Sequence, residues 1–319
     1  MNDRTELLKC FAGSRKNVLT LHHRPDGDSV GSNCAFAEAL RLRGHSVDIF
    51  SIDTVPEYLM FIPGADTVRV QPPEKIPWHR YDTYWALDMA SPDMIGIKPE
   101  FPDSLTVAVL DHHVSNKGWG TLNLIEPTEI SAASIVYSFL KDTGISISRD
   151  IATALMTGLC TDSGFFRYIT SGAPLQVAAE LIDQYGVDYQ KIVSAIQSQL
   201  NIEDILFLGN ALSLMKVDYE RKVAYLPIPY QSWLNFGEAG QNSHLLTGYL
   251  QSINGTEFGV LVIEEKPGTF RLQFRSRNRA YDVSALAQKL GGGGHKNASG
   301  ATIQAPSIDA AISSILSLA

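Results

Sequence analysis

His22, Asp26 and Asp28 stand in the pattern H-x-x-x-D-x-D directly after the apolar run Val18 to Leu21. Asp88 closes a second apolar run, Tyr84 to Leu87, and Asp111-His112-His113 closes a third, Thr106 to Leu110. Asp162 follows a stretch of helical periodicity over residues 150–160. Carboxylate oxygens and imidazole nitrogens without thiolate suit hard divalent cations, manganese or magnesium foremost. The four aspartates balance two such cations when the histidines are neutral. A cation pair about 3.5–4 Å apart can share a hydroxide and clamp the oxygens of an in-line phosphoryl displacement. The candidate metal ligands are therefore His22, Asp26, Asp28, Asp88, His112 and Asp162. Each also has an ordinary reading: Asp26-Gly27 as a turn pair, Asp28 or Ser29 as a helix N-cap, Asp88 as a cap for the segment from Ser91-Pro92, and Asp162 as a turn residue. The coincidence carries the weight, because the ordinary readings would all have to hold together.

Apolar runs that end in polar side chains, with helices between, are the signature of a parallel α/β sheet. In such sheets ligands bind at the carboxyl ends of the strands. After the first strand, Cys34 to Leu42 reads as an amphipathic helix closed by Gly44. Val47 to Ser51 is a short strand, and the Pro-containing stretch 56–77 reads as loop with a short helix near Glu57 to Phe61. Residues 4–12 read as a leading helix. Helical spacing recurs over 131–141, 150–160, 174–184 and 201–215.

The last of these helices reads as a bridge, so the organisation expected is a first domain over 1–195, a linker helix over 196–215 and a smaller α/β domain over 216–319. The second domain has strand-like runs at 222–226, 258–264 and 270–275 and a helix at 283–290. A glycine run, Gly291 to Gly294, then leads into His295, Lys296 and Asn297. Backbone N–H groups of Gly293 and Gly294 can approach an anion closely, and His295 and Asn297 can donate to phosphate or base. Arg275, with Ser276 beside it, offers a guanidinium fork for phosphate. A plain glycine turn beside a basic strand is the competing reading.

The 319 residues, 45% hydrophobic and 19% charged, are enough for two globular domains. No apolar run approaches the roughly 20 residues of a membrane span, and the first residues lack the apolar core of a secretory signal. Three widely spaced cysteines without a C-x-x-C pair imply reduced thiols, a cytoplasmic setting and no structural zinc site. The net charge of −8 is uneven. Residues 216–319 hold ten Lys and Arg against eight Asp and Glu, and residues 1–215 hold sixteen against twenty-six. An acidic body argues against gripping long duplexes through many phosphates, but not against a small phosphorylated ligand.

Taken in order, these motifs resemble the DHH phosphoesterases, named for the triplet seen here as Asp111-His112-His113. Gly291 to His295 with Asn297-Ala298-Ser299-Gly300 is similar to the glycine-rich motif of their DHH-associated second domain; Ser299 departs from the alanine common there. The length resembles the bacterial nanoRNase/pAp phosphatase (NrnA-type) branch. That resemblance implies hydrolysis of very short RNA to mononucleotides, removal of the 3'-phosphate of 3'-phosphoadenosine 5'-phosphate, manganese as the metal, a cleft between the domains, and homodimers. It also implies that His22, Asp26, Asp88 and Asp162 hold one cation and Asp28, Asp88, His112 and Asp162 the other. His113 would then act near the leaving oxygen, and Asp111 would orient a histidine. Arg275 and His295 would grip the substrate. A phosphodiesterase of linear dinucleotides such as pApA, a nucleotide sensor without turnover and a pyrophosphatase are the alternatives.

Overall fold

The structure, a computed structural model, describes residues 3–97, 99–197, 201–236, 244–277 and 281–318, with the side chains at 233, 235, 236, 244, 245 and 295 outside the description. The chain divides into two compact units, Met1–Gln199 and Leu200–Ala319.

The first unit is built on six strands: β1 (Lys16–Thr20), β2 (Ser46–Ser51), β3 (Val68–Val70), β4 (Thr83–Leu87), β5 (Thr106–Asp111) and β6 (Leu122–Ile125). They lie in the order β3-β2-β1-β4-β5-β6, and every neighbouring pair is parallel. The chain steps outward from β1 to β3, then returns to lay β4 on the other side of β1. The strand order therefore reverses between β1 and β4, where the loops leaving two adjacent strands diverge and open a crevice.

Alternation along the strands feeds two cores. Leu19, Trp85, Leu87, Ala108 and Leu110 face one side, under α1 (Arg4–Gly13), α2 (Gly27–Leu42), α3 (Ala132–Thr143) and α4 (Arg149–Asp162). Val18, Tyr84, Ala86, Val107 and Val109 face the other, where Trp78 and Phe101 close over Tyr84. Helices α5 (Ala173–Tyr185) and α6 (Tyr189–Gln197) complete the unit.

Helix α2 is buried on nearly every face rather than along one stripe. Its tightest neighbour is α4, whose backbone would collide with any side chain at Gly31. Several boundaries differ from the pattern-based expectation. Asp26, not Asp28 or Ser29, caps α2, accepting the N–H groups of Asp28 and Ser29 at 3.0 and 2.9 Å. Asp162 is the last residue of α4 rather than part of the following turn. The edge strands β3 and β6 are too short for a clear periodic signal, whereas α6, not among the expected helices, has Tyr189, Ile192, Val193 and Ile196 at helical spacing.

The second unit holds α7 (Ile202–Ser213), β7 (Lys216–Asp218), β8 (Val223–Ile228), α8 (Tyr230–Phe236), α9 (His244–Leu250), β9 (Phe258–Lys266), β10 (Thr269–Ser276), α10 (Val283–Lys289), β11 (Gly293–His295), β12 (Ala298–Gln304) and α11 (Ile308–Leu316). Its mixed sheet runs β11-β12-β10-β9-β8-β7. Helix α7 buries Phe207, Leu208 and Ala211 against Ala224, Leu226 and Leu261 on one face of that sheet. Helices α10 and α11 cover the other face. Among the described residues, no helix is long and apolar enough to cross a membrane.

Candidate metal centre

Five elements of the first unit bring their ends to the crevice at the strand-order reversal. His22 follows β1, Asp26 and Asp28 open α2, Asp88 follows β4, His112 follows β5, and Asp162 ends α4. The structure thus gathers all six residues picked from the sequence. Nε2 of His22 lies 3.4 Å from Asp88 Oδ2 and 3.6 Å from Asp26 Oδ1. Nε2 of His112 lies 3.4 Å from Asp88 Oδ1, 3.3 Å from Asp162 Oδ2 and 4.0 Å from Asp28 Oδ2. Asp88 therefore turns one oxygen to each imidazole. One donor atom from each member lies within 4.8 Å of the others in two trios: His22, Asp26 and Asp88; and Asp28, His112 and Asp162. Asp162 groups with His112 and Asp28, whereas Asp88 adjoins both trios.

His22, Asp26 and Asp28 are each held by a further contact. The His22 ring donates from Nδ1 to the carbonyl oxygen of His23 at 2.9 Å, which leaves Nε2 for the crevice. Asp28 is fully buried and accepts the Ala132 and Ala133 N–H groups at 2.6 and 2.9 Å, at the start of α3. Gly158 on α4 makes room for that carboxylate: a Cβ there would sit 2.6 Å from Asp28 Oδ1 and 2.8 Å from Ala133 Cβ. Asp88 takes a left-handed conformation, φ 60°, which Asp and Asn adopt more readily than other non-glycine residues.

The electrostatics without cations expose what the cluster lacks. Burial pushes Asp28 well above the usual carboxylate range, and the charges of Asp162, Asp88 and Asp26 push it further. Burial and the charges of Asp88 and Asp26 raise Asp162 to about 8. Burial would raise Asp88 too, but hydrogen bonds to His112 and His22 outweigh it and hold this carboxyl below its usual range. Burial disfavours charge on the two imidazoles, yet the carboxylates reverse that and lift His22 to about 11 and His112 to about 9. Protons stand in for missing positive charge. A donor set of four carboxylates and two imidazoles in that condition fits divalent cations.

Beyond the six, His113 donates from Nδ1 to Asp111 Oδ1 at 2.8 Å, and Asp111 is fully buried. Asn116, overlooked in the sequence, donates to Asp111 Oδ2 at 2.7 Å and to the carbonyl of Met89 at 3.0 Å. It thereby ties the loops after β4 and β5 together. Its place in DHHVSN, an amide donor a few residues beyond a carboxylate due to be buried, was the available signal.

In the second unit the expected phosphate-gripping residues are spread among different roles. Arg275 is half-buried on the face of β10 opposite Phe274 and donates from Nη1 to the Phe274 carbonyl at 2.9 Å. Ser276 is a correction to the fork: it points to the core side, 3% exposed, with its hydroxyl unpaired there. Gly294, at φ 136°, is needed for packing, because a Cβ would meet Ser299 Cα at 2.7 Å. Gly293 has open space over its Cα, and Asn297 is exposed. The side chain of His295 lies outside the described atoms. Ser299 donates its hydroxyl to the Val283 carbonyl at 2.6 Å, pinning β12 to α10, a contact that alanine lacks.

A cation centre of aspartates and histidines at the switch point of a parallel sheet defines a metal-dependent hydrolase. The chain belongs to the DHH family: residues 16–159 match the DHH family, N-terminal domain, and residues 222–319 match the DHHA1 domain. It is 29% identical over 313 residues to a bifunctional oligoribonuclease and PAP phosphatase NrnA of Thermus thermophilus, covering 98% of this chain and 90% of that protein. A probable manganese-dependent inorganic pyrophosphatase of Streptococcus agalactiae is 28% identical over 178 residues, 53% of this chain and 56% of that one. The crystal structure of an exopolyphosphatase-related protein from Bacteroides fragilis shares the fold, with a TM-score of 0.91 at 22% identity over 99% of this chain and 96% of that one.

Proposed function

We propose that this chain is a manganese-dependent phosphoesterase that cleaves very short RNA to mononucleotides and converts 3'-phosphoadenosine 5'-phosphate to AMP. The observation that carries the reading is Asp88, buried, left-handed and turned by one oxygen to each of two histidines, which is the arrangement a ligand shared by two cations needs. The near full-length likeness to an oligoribonuclease and PAP phosphatase supports the substrate class. The free, non-disulfide state of Cys10, Cys34 and Cys160 fits a cytoplasmic setting.

His22, Asp26 and Asp88 would hold one cation, and Asp28, His112 and Asp162 the other, with Asp88 common to both. Bound there, the cations supply an activated hydroxide and neutralise charge on the phosphoryl oxygens. Asp111 fixes His113 through Nδ1, which leaves Nε2 as the nitrogen that gives a proton to the leaving oxygen. Asn116 keeps Asp111 in place for that task. In the second unit, Arg275, Asn297 and the backbone at Gly293 offer donors to a nucleotide phosphate.

The test is turnover by the purified chain with manganese or magnesium on RNAs of two to five nucleotides, pApA, 3'-phosphoadenosine 5'-phosphate and pyrophosphate. Release of mononucleotides and AMP supports the proposal. Phosphate from pyrophosphate alone would assign the chain to the pyrophosphatase reading. Bound metal without turnover on any substrate would make it a sensor.

A further inference from the structure

The opposite end of the first sheet is built for a different ligand. A crossover in a doubly wound sheet ordinarily lays a helix on the face it crosses. Between β3 and β4 this chain instead has short 3-10 turns at Pro73–Lys75 and Trp78–Arg80. They leave an open trough of about 1280 Å³ at the amino ends of the strands. Its floor is the face of β2 that carries Ser46, Asp48 and Phe50, beside Lys16 at the start of β1. A strand inside a parallel sheet normally reads as continuous apolar sequence. The polar positions Ser46 and Asp48 therefore mark a face adapted to water or a polar ligand.

The charge there runs against its surroundings. Residues 1–215 carry ten more acidic than basic side chains, yet the trough is lined by Lys16, Arg69, Lys75 and Arg80 against Asp48 and Asp82. Both acids are already engaged. Asp48 takes Arg69 at 3.1 Å and the Tyr81 hydroxyl at 2.8 Å. Asp82 Oδ2 accepts the backbone N–H groups of Arg15 and Lys16 at 3.0 and 2.9 Å. Lys16, Lys75 and Arg80 form no side-chain ion pair among the described residues, and all three are exposed. Asp82 keeps its charge, so four cations against two anions leave the trough at +2, more than a single monoanion would use, carried by Lys16, Lys75 and Arg80 on separate segments. They suit a chain of phosphates, with the arginine fork and the lysine point charges dividing the contacts.

We infer that this trough binds a small polyanion with linked phosphates, whether the triphosphate of a nucleotide or inorganic tripolyphosphate. It is a site apart from the metal centre. Lys16 opens β1 and His22 follows it, so the two lie about 20 Å apart along the strand at about 3.3 Å per residue.

Calorimetric titration of the full chain with ATP and with tripolyphosphate tests this. Chelator in the buffer keeps the metal centre free of cations, and the Asp88→Asn variant checks for anion binding there. The expected result is saturable binding of one tripolyphosphate per chain, weakened at least tenfold in the double variant Lys75→Glu, Arg80→Glu and unchanged in Asp88→Asn. Both altered lysine and arginine positions are exposed, and a melting curve like that of the unmodified chain verifies the fold. Equal affinity for ATP assigns recognition to the phosphates, and tighter ATP binding adds the nucleoside. No saturable binding, equal affinity in the double variant, or loss in Asp88→Asn would overturn the inference.

Discussion

The metal centre and the glycine-rich edge of the second unit were both chosen from short polar motifs, yet the fold treats them differently. At the centre every candidate side chain converges, and three of the six are steadied by a contact of their own, such as the Ala132 and Ala133 N–H groups on Asp28. At the glycine edge the same kind of motif divides: Gly294 serves strand packing, Ser276 faces the core, and Gly293 and Asn297 remain open. The lesson concerns what must be buried. A cluster of carboxylates is stable in a crevice only if something there answers its charge, whereas glycines and a serine fit a sheet edge without any ligand.

The largest effect expected is at Asp88. Asparagine tolerates the left-handed conformation, so Asp88→Asn keeps the loop while removing the charge. Turnover should fall by about 10³-fold or more, as several kcal/mol of cation-mediated stabilisation are lost, while with chelator the variant still melts cooperatively, at a temperature lowered only by the lost pairing with His22 and His112. Near-normal turnover would separate Asp88 from the chemistry. Gly158→Ala comes next and strikes the centre through packing. Its methyl group must displace Asp28 or Ala133, so we expect about 1–3 kcal/mol of destabilisation together with weakened metal binding. A stable, fully active variant would show that Asp28 is free to move. Asn116→Ala should lower turnover about 10–100-fold with metal affinity nearly intact, as expected when a supporting hydrogen bond is cut. Equal losses in both would place Asn116 among the cation's supports instead.

The pH dependence of metal binding sharpens the same contrast. Without cations His22 titrates near 11 and His112 near 9, both above the ordinary imidazole value, so at neutral pH a cation must displace their protons. Affinity should therefore rise with pH through about 9, where His112 loses its proton, and on toward 11 with His22. The metal-free fold should follow the matching trend. Stability stored in the raised His112 and Asp162 is complete below their unfolded values and is lost as pH rises through about 8 to 9. The gain in melting temperature on adding manganese should thus grow from pH 6 to pH 9. A flat or falling gain would contradict the electrostatic account. Ser299→Ala is the smallest change, costing about 1 kcal/mol through the lost bond to Val283 and leaving turnover unaltered.

Much of the centre was legible because its ligands sit where apolar runs stop, and strand ends are the most conspicuous boundaries a sequence has. Asp88 after YWAL and His112 after TVAVLD needed only that rule. Gly158 and Asn116 were not legible in the same way, since their roles depend on which helix crosses α2 and which loop meets Met89. Ser276 is instructive in the other direction. Phe270, Leu272 and Phe274 alternate along β10, and the next position on that face is 276, so its burial followed from a two-residue period. The attraction of an Arg-Ser pair as a phosphate fork obscured the simpler pattern. The missing helix between β3 and β4 left only proline-rich sequence as a trace, and with it the cationic trough.

The most direct test of the central claim is electron paramagnetic resonance of the full chain titrated with manganese. Two ions per chain with the signal of an exchange-coupled pair, and loss of that coupling in Asp88→Asn, is the predicted result. One ion per chain, or two uncoupled ions in the unmodified protein, would contradict a centre joined through Asp88.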